Sequence, residues 1–204
     1  GGITVHSITL STSAPATNSN TTWKFTSPTS VDEGDTIIYT WSAGFDISAI
    51  TENDVDLEVD GVDWTTAPDC TGIEQASVGV VGQVLTVTLC AGDGGAIADV
   101  DAVVLKVGTN ALQSGVGANQ VTNHAVTGSY VYNVSGSFGL SADARVAIID
   151  PVNVSAVVPT TLTFTIDGVV AGASINGDAT LTSAGATATA LPFSTLAAGV
   201  AKVL

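Results

Sequence analysis

Residues 146–166 read VAIIDPVNVSAVVPTTLTFTI and decide the fold. An apolar run at residues 146–149 is followed by Asp150-Pro151, and Pro159 separates two segments in which apolar and polar residues alternate, at 152–158 and 162–166. Proline cannot donate a hydrogen bond to a sheet ladder, so the two prolines mark strand ends. The pattern predicts β-strands on both sides of a joint between a module of domain size and a shorter tail.

The chain before this joint repeats the same strand signal. Short apolar or alternating runs recur at intervals of roughly ten residues, Gly, Pro, Asn and Asp lie between them, and no long amphipathic helix pattern interrupts them. We therefore predict an all-β protein with an antiparallel immunoglobulin-like β-sandwich at residues 23–149. Residues 1–22 are predicted as an N-terminal strand with a polar linker, and residues 150–204 as a second, smaller β-domain.

The second β-domain is predicted to be incomplete. Its four or five short strands bury too little surface for independent stability, and they leave sheet edges open. Residues beyond Leu204, the first module or a strand from another molecule would have to cover those edges.

Charge narrows the range of partners. The chain has 4 Lys and Arg against 19 Asp and Glu, which gives a net charge of −15. Nucleic-acid binding needs clustered cations, and four scattered ones cannot form such a patch. Anionic membrane surfaces are disfavoured for the same reason, and every apolar run is far shorter than the roughly 18 residues of a membrane-spanning helix. The acidic, Lys-poor composition predicts an extracellular or cell-surface protein.

Cys70 and Cys90 are the only cysteines. Neither has a His or a further Cys at metal-binding spacing, and an even count in an exported chain predicts one disulfide, with two buried thiols as the alternative. The chain begins with Gly-Gly and contains no Met. That beginning fits either removal of a signal peptide or a fragment of a longer protein.

Residues 54–60 read DVDLEVD and place a carboxylate at every second position. On a strand such residues share one face at about 6.6–6.8 Å spacing, which is too wide for all of them to converge on one calcium ion. We predict a solvated outer face, with Val55, Leu57 and Val59 in the core, and no resident cofactor. The alternative is a calcium ion at the strand's end, bound by loop carbonyls and by acids from this list: Asp60, Asp63, Asp93, Asp99 and Asp101.

The sequence carries no catalytic signature. His6 and His124 are the only imidazoles and no GxSxG or HExxH pattern occurs, so we predict that the protein is not an enzyme, with His6 at the surface. Trp23, Trp41 and Trp64 are expected in the core, with a sugar-stacking platform as the alternative. Three Asn-X-Ser/Thr sequons permit glycosylation where the host supports it: Asn20, Asn133 and Asn153.

Several segments resemble exported β-rich surface proteins of uncultivated small-genome bacteria. In chain order they are FDISAITENDVDLEVDG, VLKVGTNA, NQVTNHAVTGSYVYNV, ARVAIIDPVNVSAVVPTTLTFTIDGVVAG and LPFSTLAAGVAKVL. The resemblance covers most of the chain and rests on composition and segment order. It implies an immunoglobulin-like domain followed by a second β-domain, in a cell-surface or extracellular structural protein. More loosely, the chain is similar to pilin-like filament subunits that exchange a strand with a neighbour.

The N-terminal strand at residues 3–10 can dock in its own sheet or add to the open edge of a neighbour, as in donor-strand complementation. A head-to-tail contact of this kind does not close, so it produces a filament whose partners are copies of the same chain. The alternative function is a secreted adhesion or carbohydrate-binding module that meets glycans or a cell surface. The predicted subunit-contact residues are Ile3, Val5, Ile8, Leu10, Val152, Val154, Leu162, Phe164 and Ile166.

Overall fold

The computed structural model describes residues 2–113 and 117–152, together with residues 174–175 and 178–179. The chain forms two compact units, Gly1–Asn153 and Val154–Leu204. The finer division into segments 1–22, 23–149 and 150–204 stays a prediction. In chain order the described strands are β1 (Thr4–Leu10), β2 (Asn18–Ser19), β3 (Thr21–Thr26), β4 (Thr36–Thr40), β5 (Val55–Val59), β6 (Val62–Trp64), β7 (Thr66–Ala67), β8 (Ala76–Val81), β9 (Val84–Leu89), β10 (Ala102–Val107), β11 (Val121–Thr122), β12 (Gly128–Gly136), β13 (Ser141–Ile148), β14 (Ser174–Ile175) and β15 (Asp178–Ala179).

One layer of the first unit is a five-stranded antiparallel sheet in the order β1-β3-β10-β5-β6. The pairing register of the strands determines which side chains lie next to each other on the inner face of this sheet. Leu105 of β10 lies opposite Trp23 of β3 on one side and Leu57 of β5 on the other. All three side chains are fully buried. This row crosses the middle of the sheet and holds its three central strands against the core.

The other layer is a six-stranded sheet in the order β13-β12-β4-β9-β8-β7. Its neighbouring strands are antiparallel except β7 and β8, which run parallel. Tyr39 of β4 lies opposite Leu85 of β9 and Val134 of β12, and these three side chains are also fully buried. A second apolar row therefore faces the first across the sandwich.

The first unit is an antiparallel immunoglobulin-like β-sandwich, and the predicted all-β class is confirmed. Successive strand side chains point to opposite faces, so every second residue enters the core. Strand β9 shows this alternation along its whole length, with Leu85, Val87 and Leu89 buried. Each such side chain contributes about 1.5–3 kcal/mol by leaving water. The described residues include no helix with the length and apolar character that a bilayer crossing requires.

Hydrogen bonds hold residues 11–20, which belong to the predicted polar linker, in a defined conformation. The Ser11 N–H donates to the Asn20 carbonyl at 3.0 Å, and the Asn20 N–H donates to Ser11 Oγ at 2.9 Å. Asn123 Nδ2 donates to the carbonyls of Thr12 and Ala14 at 2.9 and 3.0 Å. Short polar side chains satisfy nearby backbone groups and so order a segment that lacks large apolar side chains.

In the second unit, β14 pairs with β15 in an antiparallel register, Ser174 opposite Ala179 and Ile175 opposite Asp178. In the first unit, β2 pairs with β11, which places Ser19 opposite Val121. This short pairing fastens the segment after β1 to a part of the chain about a hundred residues later, and Thr122 Oγ1 adds a hydrogen bond to Asn18 across the same pair. The N-terminal hairpin is thus anchored to the sandwich.

Candidate functional site

Strand β1 forms one edge of the five-stranded sheet and pairs only with β3. Ile8 lies opposite Trp23 and Leu10 opposite Thr21, and the register shifts between Thr4 and Ser7. Ile3, Ile8 and Leu10, three of the predicted contact residues, are half-buried and contact the core; the side chain of Val5 lies outside the described residues. We call the side of β1 that faces away from β3 the β1 edge.

The β1 edge differs from the other three edges of the five- and six-stranded sheets. Strand β6 has 3 residues and contains Asp63, and strand β7 has only 2 residues. Strand β13 is longer but exposes Asp143 and Arg145. Strand β1 spans 7 residues without Asp, Glu, Lys, Arg or Pro. Charges, prolines and short length are the usual protection of an edge against pairing with another chain. The β1 edge lacks all three.

His6 does not add a charge to this edge at neutral pH. Burial lowers the pKa of His6, and the nearby Asp143 carboxylate opposes that shift only in part. The ring stacks on Trp23 with centroids 6.2 Å apart, and both ring nitrogens are buried without a hydrogen-bond partner among the described residues. The prediction of a surface histidine was wrong, because the inward face of β1 turns this ring toward the core. His6 is therefore neutral, and β1 is uncharged.

Strand β13 lies beside β1 at the point where the two sheets approach each other. No ladder joins the two strands within residues 2–113 and 117–152. Only past their ends does a backbone bond form, from the Ile149 N–H to the Ser13 carbonyl at 2.9 Å. The outward backbone groups of β1 are consequently outside any described sheet, while half-buried apolar side chains line the strand.

The acidic strand β5 is not the solvated face that was predicted. Val55, Leu57 and Val59 are buried, as expected, but Asp54 and Asp56 are only 1% and 2% exposed. A distant loop covers these two carboxylates and donates its backbone N–H groups to them. The prediction of a solvated face was therefore wrong at both positions, because strand alternation says nothing about what covers the outer face of a sheet.

Asp54 and Asp56 clamp the two described parts of the loop that follows β10, residues 108–113 and 117–120. Asp56 accepts from the N–H groups of Leu112 and Gln113, the latter at 2.8 Å. Asp54 Oδ1 accepts from the N–H groups of Ala118 and Asn119 at 2.7 and 2.8 Å. Each carboxylate thus holds one leg of the loop.

The Asp54 carboxylate has an unusual pKa because of these contacts. Burial by itself would raise the pKa of Asp54. Hydrogen bonds from the backbone and side chain of Asn119, and from the backbones of Thr51 and Ala118, outweigh burial and lower the pKa to about 2. The group is a permanently ionised structural acceptor at neutral pH.

The other acids of this region also have structural partners. Glu58 Oε2 lies 3.0 Å from Lys106 Nζ, and Asp63 Oδ1 lies 3.9 Å from the same nitrogen. Asp60 accepts from the Ala102 N–H at 2.8 Å, and Asp101 accepts from the Ala98 N–H at 2.7 Å. Within the described residues, these acids, Asp93 and Asp99 form no group of three or more that could hold a metal ion.

The three tryptophans do not form a sugar-stacking platform. Trp23, Trp41 and Trp64 are 0%, 1% and 5% exposed, so their faces lie in the core, as the main prediction states. The other imidazole, His124, accepts from the Val126 N–H at 2.9 Å and lies 2.9 Å from the Tyr130 hydroxyl. Neither His6 nor His124 is hydrogen-bonded to a carboxylate in the part of the chain that the structure describes.

The sequons differ in their surroundings. Asn20 is half-buried, and its Oδ1 accepts from Thr109 N–H at 2.9 Å and from Gln120 Nε2 at 2.8 Å, so its side chain joins loops. Asn133 Nδ2 donates to Asp143 Oδ1 at 2.7 Å across β12 and β13. Asn153 lies outside the described residues, as do the predicted contact residues Val154, Leu162, Phe164 and Ile166; Val152 is 86% exposed.

Cys70 and Cys90 form a disulfide across 20 residues of sequence. Cys90 follows β9 and is buried, while Cys70 lies in an exposed segment after β7. The Cys90 N–H also donates to the Gln75 carbonyl at 2.9 Å. The bond therefore fastens the exposed segment between β7 and β8 to the end of the central strand β9.

No family model matches the chain, and no curated protein matches it by sequence. Three solved structures are similar in architecture. BslA, described as a bacterial hydrophobin, is 14% identical, with a TM-score of 0.42 over 72% of this chain and 96% of its own. BcpA, the major pilin subunit of Bacillus cereus, is 12% identical, with a TM-score of 0.39 over 71% of this chain and 40% of its own. An uncharacterised Nocardia farcinica protein with an immunoglobulin-like fold is 13% identical, with a TM-score of 0.34 over 76% of this chain and 90% of its own.

Proposed function

We propose that the protein is a non-enzymatic structural subunit of an extracellular filament or surface layer, assembled by β-strand addition at the β1 edge. The observation that carries the proposal is the unprotected state of β1, an uncharged edge strand of 7 residues whose outer side joins no described ladder. An added strand gains backbone hydrogen bonds from the edge and a register from alternate side chains.

Strand β1 acts as the acceptor in this proposal. The hydrogen bonds between Ser11 and Asn20 close the β1–β3 connection tightly, so release of β1 as a donor would break that network. The two alternating segments at residues 152–158 and 162–166, which Pro159 separates, supply donor strands, and their contact residues are Val152, Val154, Leu162, Phe164 and Ile166. Donor and acceptor lie in different parts of the sequence, so the contact is head-to-tail and propagates into a filament.

Charge and covalent bonding fit this role. A net charge of −15 keeps free subunits apart in solution, because like-charged molecules repel. The Cys70–Cys90 disulfide suits an oxidising, extracellular compartment. A disulfide-braced sandwich can withstand conditions outside the cell, where no chaperone refolds it.

Negative-stain electron microscopy and light scattering of the purified protein test the proposal. The informative variant is Ser7→Glu with Thr9→Glu, two exposed positions on β1. Ser7 lies opposite Lys24, so the new Glu at 7 has a cation beside it and the subunit's own sheet is kept. Charged side chains on an edge strand disfavour pairing with another chain, so we expect filaments to disappear while the monomer stays folded.

The matched control is Val81→Glu with Gln83→Glu, which adds the same charge at two exposed positions near the β8–β9 turn. We expect this control to assemble like the unmodified protein. Filaments that persist in the β1 variant would move the contact away from β1. A monodisperse monomer at high concentration would exclude assembly and favour the adhesion or glycan-binding alternative.

A further inference from the structure

Four large aromatic side chains meet at the centre of the sandwich. Trp23 projects from β3, Tyr39 lies on β4, Trp41 follows β4 directly, and Tyr132 lies on β12. The ring centroid of Trp23 is 5.2 Å from that of Tyr39, 5.0 Å from that of Trp41 and 5.3 Å from that of Tyr132. All four residues are at most 1% exposed. We call this group the aromatic layer.

Each member of the aromatic layer ends in a polar atom without a protein partner. Trp23 Nε1, Trp41 Nε1, Tyr39 Oη and Tyr132 Oη are all buried, and none has a hydrogen bond to any described group. Buried indole N–H and phenol O–H groups normally find a partner, because an unmade bond costs the full desolvation of the group. Four such atoms in one layer of a small core are too many to remain unpaired.

The hydroxyl of Tyr130, in contrast, has hydrogen-bond partners within the protein. Tyr130 is also on β12, but its hydroxyl donates to the Val126 carbonyl at 2.7 Å and lies 2.9 Å from His124 Nδ1. The described residues thus provide partners for a tyrosine near the surface and none for the two in the aromatic layer.

We infer that the aromatic layer is a binding site for a small cluster of ordered water molecules in the core. The site offers two N–H groups that can only donate and two hydroxyls that can donate and accept. A water molecule can accept a hydrogen bond from an indole N–H and can either donate to or accept from a tyrosine hydroxyl. Buried waters commonly make about three hydrogen bonds. Burial raises the pKa of Tyr39 and of Tyr132, so both hydroxyls stay protonated and offer no charge that would attract an ion.

Thr21 on β3 and His6 on β1 add further buried polar atoms without a described partner. Thr21 is fully buried one inward position before Trp23 on β3, and its Oγ1 has no hydrogen-bond partner among the described residues. His6 stacks on Trp23 and contributes two further unpartnered ring nitrogens.

Conservative tyrosine variants give the first test. In Tyr39→Phe and Tyr132→Phe, the loss of a hydroxyl removes a hydrogen-bond partner of the bound water. The remaining polar atoms of the aromatic layer then have fewer hydrogen bonds. We expect the folding equilibrium constant to fall about tenfold for each variant. Tyr130→Phe is the control, because its half-exposed site admits solvent, and we expect a smaller change. A Tyr39 or Tyr132 variant as stable as the unmodified protein, or more stable, overturns the inference.

The second test observes the water itself. In the folded protein, the indole protons of Trp23 and Trp41 should show nuclear Overhauser cross-peaks to water, although both rings are buried. Trp64 is the internal control, since its Nε1 is not among the buried unpartnered atoms. Absence of cross-peaks at both Trp23 and Trp41 overturns the inference, whatever the stability of the tyrosine variants.

Discussion

Asp54 and Asn119 are joined by two hydrogen bonds across 65 residues of sequence. The Asn119 N–H donates to Asp54 Oδ1 at 2.8 Å, and Asn119 Nδ2 donates to Asp54 Oδ2 at 3.0 Å. The same Oδ2 accepts from the Thr51 N–H at 2.9 Å, so this carboxylate connects the turn before β5 to the loop before β11. Hydrogen bonds from the loop to the carboxylates of Asp54 and Asp56 thus hold the loop in place.

Replacing Asp54 with asparagine should therefore weaken the fold. The new NH₂ group cannot accept, so N–H donors of Thr51 or Asn119 lose their partner in a buried place. We expect the free energy of unfolding to fall by about 3 kcal/mol, measured by urea denaturation. Asp99→Asn is the control, since that exposed carboxylate changes charge equally. Equal denaturation midpoints for both variants would contradict the role of Asp54.

Lowering the pH should remove the stabilisation that the ionised Asp54 carboxylate provides. The pKa of Asp54 is about 2 in the folded protein against an ordinary value of 3.8, so the ionised carboxylate favours folding. Its contribution is complete above about pH 4 and is lost as the pH falls toward 2. The difference corresponds to about 2 kcal/mol. Unfolding curves at pH 6, 4 and 2 should show a smaller decline for Asp54→Asn than for the unmodified protein; parallel declines would exclude Asp54 as the titrating group.

Local patterns in the sequence were sufficient to predict the all-β class, and alternation is visible in individual strands. Residues 84–89 alternate apolar and polar side chains, and β9 buries Leu85, Val87 and Leu89 accordingly. Gly82 and Gln83 form the turn of the β8–β9 hairpin, in which Val81 lies opposite Val84. Such features depend on neighbours within a few residues, so the chain itself displays them.

Contacts between distant segments could not be predicted in this way. The acids at 54 and 56 alternate like exposed residues, and only the return of the loop 56 to 65 residues later buries them. His6 follows the same logic, because its burial depends on Trp23 of the neighbouring strand and on the approach of β13. The β1 edge likewise becomes visible only when the lengths and charges of all the edge strands are compared.

Removal of the disulfide should destabilise the first unit without altering its fold. In the chain-entropy model, a cross-link that closes about 20 residues contributes about 3 kcal/mol, because it restricts the unfolded chain. We expect the Cys70→Ser, Cys90→Ser double variant to unfold at a correspondingly lower urea concentration. A reducing agent should shift the unmodified protein by the same amount and leave the double variant unchanged. A shift of the double variant by the reductant would point to an effect unrelated to this bond.

The ring of His124 lies close to Gly44, which is possible because glycine has no Cβ. A Cβ on Gly44 would lie 2.2 Å from His124 Cδ2, and the backbone there has φ +94°. Gly34 has a similar φ of +88° but open space around the same position. Gly34→Ala should cost about 1 kcal/mol from backbone strain alone. Gly44→Ala should cost about 1–3 kcal/mol more, since it displaces the ring of His124 from Phe45 and Tyr130. Equal unfolding free energies for the two alanine variants would show that His124 moves aside freely and does not support this end of the sandwich.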